Sequence, residues 1–266
     1  MATGSFAWAK KELAPTITIV DFMAERPGLL VRDDSGTGLR TTIRYGTSTA
    51  HAMRASAAGT PWRTRLPITV TVVDGVVVED LVRGSRFSSS YRYAHGHFDG
   101  PEREFRGFGF VEQIDEEKVG GAAARASAFQ TDDPTHTLPA LRARTWFWNG
   151  SELDLSDEYD RFDAQAKVLP PPDLSAFGED DRREAARALR GVTLRSESYG
   201  DAPGPGGDLD AAKRPLVTTT HGWSVRAIQA KGGEHHGVML PLAEQTLTYT
   251  YERQATPDPR LVQTAV

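Results

Sequence analysis

The side chains best suited to chemistry lie in one short string, His95-Gly96-His97-Phe98-Asp99. Alternate residues of an extended strand point to the same side, so two imidazoles and one carboxylate would face a common point. Such a set could bind zinc or manganese, and a metal-dependent hydrolase using His95, His97 and Asp99 is one alternative function. A hydrolase also needs further ligands and a base from distant segments, and the string runs into a predicted turn. We therefore favour a structural role for it.

Two tryptophans, Trp146 and Trp148, share one face of a predicted strand. Such an aromatic stripe is typical of a sugar-binding face, so a β-sandwich carbohydrate-binding module that uses both indoles and nearby tyrosines is a second alternative. The stripe is also typical of a strand that packs against another layer. Packing is the favoured interpretation, because no polar cluster that could orient a sugar accompanies the two rings.

The other polar groups offer weaker signals. His235-His236 follows a glycine pair, and adjacent side chains diverge in direction, which predicts an exposed loop tip and not a metal site. The glycine-rich segments lack the lysine-serine or lysine-threonine ending of a phosphate-binding loop. The remaining groups are expected to be solvated charges or polar strand faces: Ser88-Ser89-Ser90, Asp132-Asp133, Asp157-Glu158 and Asp180-Asp181.

Composition restricts the class of protein without defining it. The chain has 266 residues, of which 39% are hydrophobic and 25% charged, as in ordinary globular domains. Its formal net charge of -5 disfavours nucleic acid and anionic membranes as partners. The absence of cysteine excludes disulfides, thiolate nucleophiles and cysteine zinc sites. Neither a signal peptide nor a membrane-spanning apolar run is visible, so direct membrane insertion is not expected.

The dominant pattern is that of β-strands, and the sequence predicts a mostly β protein of antiparallel sheets with one or two short surface helices. Asp74-Gly75 lies between two β-branched runs and predicts a two-residue hairpin turn. Leu247, Tyr249 and Tyr251 alternate with threonines and predict one packed strand face. The predicted strands are 16–20, 39–45, 68–73, 76–82, 87–93, 104–114, 141–148, 193–199, 217–227 and 246–253.

Helix and loop signals are fewer. Residues 181–190 are predicted to form a surface helix that leans on a sheet, because Asp181 and Glu184 make a capping-box pattern and Gly191 supplies a stop. A second helix is predicted over 157–168. Three segments are typical of loops, and the first suggests a boundary near residue 128: 120–126, 170–172 and 201–213.

One predicted strand mixes aromatics, glycines and opposite charges. Strict alternation from residue 103 places Phe105, Gly107 and Gly109 on one face and Phe108 on the other. Two glycines on the same face of a strand usually mean that another backbone or a large ring approaches closely. We therefore expect this strand to lie inside a larger sheet assembly.

Separated motifs run through most of the chain in a fixed order. They are SGTGLRTTIRYGTST from Ser35, AAGTPWRTRLPITVTVV from Ala57, RYAHGHFDGPEREFRGFGFVEQID from Arg92, and then LPALRARTWFWNG, RREAARALRGVTLRSESYG and TLTYTYERQATPDPR. Their order and spacing resemble the middle region of the B component of tripartite insecticidal toxin complexes. That family is related to the amino-terminal part of the Salmonella plasmid virulence protein and to rearrangement-hotspot (RHS) shell proteins. Two positions depart from the pattern: Gly46 stands where proline is expected, and Pro101 is unusual.

The resemblance implies a non-enzymatic structural role. In the family, this region contributes β-sheet to a hollow shell built jointly with the C component, whose RHS repeats complete the wall around a toxic effector. A β-propeller elsewhere in the B component, outside this chain, docks the shell on the pore-forming A component. The self-cleaving aspartates of the system belong to the C component. The resemblance therefore implies no catalytic, cofactor-binding or metal-binding residue here.

The resemblance also implies a location and an organisation. The chain is expected to be secreted as part of a toxin complex without a recognisable signal peptide, and to be cytoplasmic before export. Regions 1–128 and 129–266 are expected to be the amino-terminal-like and carboxyl-terminal-like β regions within a longer protein. Unpaired sheet edges are expected to make the isolated chain prone to oligomerise or aggregate.

Overall fold

The computed structural model describes residues 27–119, 139–203 and 207–265, and the backbone of 6–10 and 16–20. These residues form a ten-stranded antiparallel sheet, a separate two-stranded sheet and two α-helices. The strands are β1 Phe6–Lys10, β2 Thr16–Val20, β3 Arg32–Asp34, β4 Leu39–Thr47, β5 Thr71–Asp80, β6 Ser85–Asp99, β7 Glu104–Val119, β8 Leu141–Phe147, β9 Thr193–Gly200, β10 Val217–Gln229, β11 Val238–Thr250 and β12 Arg260–Ala265. The helices are α1 Ser48–Ala57 and α2 Glu179–Ala188, with 3-10 helices at Ser156–Glu158 and Leu209–Lys213.

The large sheet is a meander in which each strand from β3 to β12 pairs with the next strand along the chain. β3 lies at one edge and β12 at the other. The β4–β5 connection contains α1, and the β8–β9 connection, residues 148–192, contains α2. The prediction of a mostly β, antiparallel protein is confirmed. No helix in the described part of the chain is long and apolar enough to cross a membrane.

The predicted hairpin turn at Asp74-Gly75 is wrong. β5 runs through both residues, and the register of β4 against β5 shifts by one residue there. Asp74 is the extra residue of this β-bulge, and its Oδ1 accepts a hydrogen bond from His51 Nε2 of α1 at 2.6 Å. A glycine inside a β-branched run is typical of bulges as well as of turns, and the contact with α1 decides between them here.

Several strand bounds also differ from prediction. Predicted strands 68–73 and 76–82 overlap one continuous strand, β5, which leaves out 68–70 and 81–82. β6 and β7 extend well beyond the predicted ranges. The predictions missed β1, β3, β12 and the first half of β11. β3 is a charged tripeptide that pairs with β4, and Arg40 of β4 contacts the Asp34 carboxylate across the two strands at 2.8 Å. Cross-strand contacts of this kind outweigh the weak intrinsic preference of such sequences.

Helix α1 was not predicted, because its alanines, serines and threonine form no long apolar stripe. It begins after Thr47, whose hydroxyl accepts a hydrogen bond from the backbone N–H of Ala50 at 3.2 Å. Ser48 then fixes the helix to the chain before β5: its hydroxyl accepts from Val70 N–H and its own N–H donates to the Val70 carbonyl. Capping and tertiary contacts therefore hold a helix that its sequence pattern alone does not indicate.

Helix α2 leans on the sheet as predicted, but the predicted capping box is wrong. The helix begins at Glu179 after Gly178, with no side-chain cap, and three acidic residues in its first turn suit the positive end of the helix dipole. Asp181 instead accepts a hydrogen bond from the backbone N–H of Lys231 at 2.7 Å, in the β10–β11 loop. Asp181, which suggested a helix cap, therefore links α2 to the β10–β11 hairpin instead.

The second predicted helix, over 157–168, is also wrong. Only the 3-10 turn Ser156–Glu158 forms, and the segment is otherwise irregular. Its backbone donors bond to the sheet: Asp160 N–H donates to the Glu197 carboxylate at 2.9 Å, and Lys167 N–H donates to the Tyr249 hydroxyl at 3.0 Å. A chain whose N–H groups are satisfied by the sheet does not need a helical ladder.

The β8–β9 connection forms a second layer on the sheet. Within the described residues three clusters of buried apolar side chains lie where it meets the sheet, and partly buried side chains of the other layer pack against those that one layer forms alone. The cluster members are Trp148, Leu174, Ala185, Ala186 and Leu189; Trp146, Leu155 and Tyr159; and Leu247, Tyr249 and Tyr251. The predicted packed face of β11 is thereby confirmed, and the predicted loop at 170–172 lies within this layer.

Some predictions fall elsewhere. The loop at 120–126, the boundary near residue 128 and the pair Asp132-Asp133 lie outside the described residues. The loop predicted over 201–213 contains the 3-10 helix Leu209–Lys213 at its end.

The two glycines of β7 serve different purposes. Gly107 has a φ of +100° and open space where a Cβ would stand, so it is needed for its backbone conformation. It follows Arg106, the extra residue of a bulge against β6, and this interruption lets the Phe105 and Phe108 rings meet at 5.3 Å although alternation predicts opposite faces. At Gly109 a Cβ would lie within 3.1 to 3.3 Å of neighbouring side chains, so the expected close approach occurs there.

Replacing Gly107 with alanine is expected to lower the free energy of unfolding by roughly 1–2 kcal/mol, because only the backbone conformation penalises the new methyl group. Gly100→Ala is the matched control, since Gly100 also faces open space but has no positive φ. Urea denaturation should show the control within about 0.5 kcal/mol of the parent chain. Equal losses in the two variants would contradict this assignment.

Candidate functional site

A cleft of about 780 Å³ lies over the middle of the large sheet. Its floor is formed by β6, β7 and β8, one wall by α1 and the loop that follows it, and the other by the start of the β8–β9 connection. Its ionisable side chains, among the described residues, are Arg54, Arg63, Arg92, Arg144, Glu112, Glu158, His51 and His95. A concave site with this density of ionisable groups is the strongest candidate for function.

Glu112 joins the three strands of the floor. Its carboxylate is buried, and it accepts from Arg92 Nη1 of β6 at 3.0 Å and from Arg144 Nε of β8 at 3.1 Å. Burial of the Arg144 guanidinium opposes its charge, but the hydrogen bond to Glu112 and the charges of Tyr199, Glu112 and Glu197 together raise the pKa of Arg144. The carboxylate therefore has a cation on each side.

His95 and Glu158 form a second pair at the opposite wall. The backbone N–H of Arg63 donates to His95 Nδ1 at 3.1 Å, so the other ring nitrogen, Nε2, carries the proton and lies 3.0 Å from Glu158 Oε1. Burial alone would raise the pKa of Glu158, but the hydrogen bond and charge of His95 hold it below its usual value, with support from Trp146 and Arg63.

The arrangement resembles an acid-base dyad, yet both nitrogens of His95 are occupied. The ring is buried. The backbone of His95 has a φ of 57°, and its carbonyl accepts a hydrogen bond from Asn149 Nδ2 at 2.8 Å, which helps to hold this conformation. A general base needs a free lone pair that can reach the substrate proton. His95 is therefore built to join the β4–β5 and β8–β9 connections to the sheet.

The other members of the predicted metal string do not join His95. Asp99 Oδ2 lies 2.8 Å from Nη2 of the buried Arg106, within ion-pair distance but without hydrogen-bond geometry. His97 is half-buried, and burial lowers its pKa, with smaller opposing and reinforcing effects from Asp99 and Arg106. Among the described residues no group of three or more His, Cys, Asp or Glu side chains is placed to hold an ion.

His51 closes the helical wall of the cleft. Its side chain, on the buried side of α1, is hydrogen-bonded to Asp74. Its ring packs edge-on against the Tyr93 ring, with the two centroids 5.3 Å apart. Burial lowers the pKa of His51; the bond to Asp74 opposes this, and the charges of Arg54 and Arg92 add to the lowering. The imidazole is thus disfavoured as a cation by its surroundings although it has a carboxylate partner.

The predicted tryptophan pair is buried. Trp146 is 1% exposed and its Nε1 donates to Glu158 Oε2 at 3.3 Å, while Trp148 is 6% exposed and its Nε1 donates to the Ala186 carbonyl at 3.3 Å. A buried ring has no face to offer a sugar, so packing is the use that the geometry supports. The carbohydrate-binding alternative therefore loses the two side chains on which it rested.

The other candidate groups have structural partners. His236, in the exposed β10–β11 loop, contacts Glu184 Oε1 of α2 at 3.1 Å. Asp157 forms an ion pair with Arg63, and this hydrogen bond lowers the pKa of the carboxyl. Ser89 donates to Asp115 of β7 at 2.6 Å, as expected for a polar strand face.

Glu158, expected to be a solvated charge, is instead half-buried beside His95, and the three charged residues of the cleft floor were not predicted to form a site. Their one sequence signal is an arginine or glutamate at a mid-strand position in each of three predicted strands: Arg92, Glu112 and Arg144. Only the register, which places Glu112 opposite both Arg92 and Arg144, shows that they meet. A single sequence without strand pairing does not contain that information.

The sheet, its buried ion pairs and the cleft are features of a structural β-sheet segment. Comparison with known proteins identifies the family of this segment. Residues 16–133 match the model of the insecticide toxin TcdB middle/N-terminal region, and residues 184–266 match that of the TcdB middle/C-terminal region. The two models match in their expected order and together span most of the chain. The chain belongs to the family of TcdB middle regions, as its motifs indicated.

Solved structures agree with this assignment. The chain is similar to a TcdB2-TccC3 complex, with 27% identity and a TM-score of 0.79, and to a variant of that complex without its hypervariable C-terminal region, with the same values. It is also similar to a mutant Tc holotoxin pore of Photorhabdus luminescens, with 27% identity and a TM-score of 0.80. Each match covers 97% of this chain but only 12% of the other chain. A search of curated proteins finds no match.

The free energy of unfolding is expected to decrease as the pH falls below about 6.5, the ordinary imidazole pKa. Burial lowers the pKa of His51, His97 and His221, so in that range the unfolded chain takes up protons that the folded chain excludes. Stability is therefore greatest above this pH and declines toward the lowered values. Chemical denaturation between pH 7.5 and 5.5 measures the slope.

His51→Gln should reduce that slope, since glutamine can still donate to Asp74 but does not titrate. His235→Gln, in the exposed β10–β11 loop, is the control and should leave the slope unchanged. An unchanged slope in the His51 variant would remove His51 from this account.

Proposed function

We propose that this chain is a non-enzymatic wall segment of a bacterial toxin-complex shell that encloses a toxic effector and helps to deliver it. The mechanism is containment: a continuous sheet pairs its backbone groups internally and separates an enclosed polypeptide from its surroundings. The observation that supports this most directly is the open ten-stranded meander, combined with its similarity to one part of a much longer chain in a TcdB2-TccC3 complex.

The proposed partners follow from the same similarity. The C component would complete the shell, and the pore-forming A component would receive it through a propeller located elsewhere in the B component. The complex would act outside the producing cell, after a cytoplasmic stage. Regions 1–128 and 129–266 would contribute successive strands to the same wall. No nucleic acid partner is proposed, because the net charge of -5 gives no basic field.

The absence of enzymatic activity is part of the proposal. Its support is the occupation of the candidate groups: His95 uses both ring nitrogens, and Asp99 is paired with Arg106. A metal-dependent hydrolase would require those groups to be free and to converge on one ion. Glu112, the buried carboxylate of the cleft, is likewise held by two guanidinium groups.

Co-expression with the C component of a toxin complex tests containment. We expect the chain and the C component to elute as one species, and the effector region of the C component to become resistant to added protease. Proteolysis of the C component expressed alone is the baseline. Separate elution, or no gain in protection, would overturn the proposed role in the wall.

The free edge formed by β12 is expected to drive association of the isolated chain. β12 pairs with β11 on one side, and Val262 is 62% exposed. Val262→Lys should suppress concentration-dependent association, because a charge on an edge strand opposes edge-to-edge pairing. Val82→Lys is the control, since Val82 is 76% exposed but lies between β5 and β6.

Light scattering after size-exclusion chromatography, over a range of protein concentrations, measures this effect. A parent chain that stays monomeric at high concentration would contradict the open-edge prediction. Equal suppression by both lysine substitutions would assign the effect to net charge instead of to the edge.

A further inference from the structure

We infer that the cleft over β6, β7 and β8 binds an acidic polypeptide segment in an extended conformation. Its carboxylates would meet Arg54 and Arg92, and its apolar side chains would lie on the surface formed by Tyr93 and Phe110. Neither the family assignment nor the similarity to toxin complexes assigns a ligand to this cleft. The inference does not rest on the proposed wall function, because it concerns only groups that line the cleft.

Arg54 and Arg92 each carry N–H donors beyond those that their carboxylate partners use. Their side chains are 57% and 60% exposed. Among the described residues, each contacts a single carboxylate: Arg54 reaches Asp74 at 3.5 Å, and Arg92 reaches Glu112 at 3.0 Å. A guanidinium has five N–H donors, so most donors of both groups remain available for a ligand.

The two guanidinium groups come from different elements that meet at the cleft. Arg54 belongs to α1 and Arg92 to β6, and both line the same cleft. The positive charges of Arg54 and Arg92 each contribute to lowering the pKa of His51, a buried residue of α1. Two cations that line one cleft favour a ligand with more than one negative charge.

The charge balance of the described lining is positive. It includes four arginines and two glutamates, and each glutamate already serves two partners. Glu112 is shared by Arg92 and Arg144, and Glu158 is shared by His95 and Arg63. Asp74 and Asp157, outside the lining, pair with Arg54 and Arg63. What the cleft offers an anionic ligand is therefore the spare N–H donors of its exposed guanidinium groups, not an excess of positive charge.

The size and floor of the cleft favour a polypeptide over a small anion. A volume of about 780 Å³ is far larger than one phosphate or carboxylate requires and lies in the usual range for ligand sites. The floor contains half-buried aromatic groups that are held in place: the Tyr93 hydroxyl donates to the Val73 carbonyl at 3.0 Å, and Phe110 packs on Trp146 at 5.1 Å. Rings fixed beside guanidinium groups suit alternating acidic and apolar side chains.

A labelled peptide of alternating glutamate and leucine, about eight residues long, tests the inference by fluorescence anisotropy at roughly 0.15 M salt, where only short-range charge interactions persist. We expect saturable binding of this peptide and none of its lysine-leucine counterpart. The double variant Arg54→Gln, Arg92→Gln should weaken binding about tenfold or more, as expected for lost charge-assisted hydrogen bonds. Circular dichroism checks that the variants are folded.

Matched controls separate the cleft from net charge. Arg83→Gln, Arg226→Gln removes two exposed arginines outside the cleft lining and should leave the affinity unchanged. Arg54→Gln alone keeps the Glu112 pairs intact and should still weaken binding, which covers the case in which the double variant does not fold. Equal loss in the control pair, absence of saturable binding, or no effect of Arg54→Gln would overturn the inference. Equally effective competition by inorganic phosphate would also overturn it, because the cleft would then be a small-anion site.

Discussion

The buried carboxylate of Glu112 is the constraint on which the centre of the structure depends. It lies on the middle of three strands and accepts from Arg92 on one neighbour and Arg144 on the other. A charge that is removed from water must be paired, since an unpaired buried charge costs about 3–5 kcal/mol. A slip of one residue in either strand pairing would turn a partner to the opposite face. The ion pairs therefore fix the register of β6, β7 and β8, and this register forms the floor of the cleft.

A second buried carboxylate connects that floor to the outer layer. Glu197 of β9 is fully buried and accepts from Arg195 Nε at 2.7 Å, from the Tyr199 hydroxyl at 2.7 Å and from Asp160 N–H of the β8–β9 connection at 2.9 Å. The Arg144 guanidinium lies over the Tyr199 ring, 5.3 Å from its centroid, so the two networks are continuous. Burial and the Glu197 charge raise the pKa of Tyr199, which keeps the hydroxyl a donor. The hydrogen bond from Asp160 to Glu197 thus holds this irregular part of the β8–β9 connection against the sheet.

The difference between prediction and structure follows from this dependence on pairing. Alternation in Leu247, Tyr249 and Tyr251 is local information, and it correctly predicted a packed strand face. Asp74-Gly75 was ambiguous between a turn and a bulge, and the deciding group, His51, lies on a helix with no apolar stripe. The cleft could not be predicted, because its arginines and glutamates become a site only through strand register. In contrast, the family was evident from the order of the motifs, which does not require any contact to be known.

The topology explains how such a segment can belong to a larger wall. Every strand from β3 to β12 pairs with its sequence neighbour, so the sheet is assembled from local contacts that form readily. Among the described strands none closes this meander, so both of its edges keep backbone groups that can pair further. Its rigidity comes instead from cross-strand ion pairs and from the β8–β9 connection packed on it. Because the cleft lies between that connection and α1, the same features that stiffen the sheet also shape the cleft.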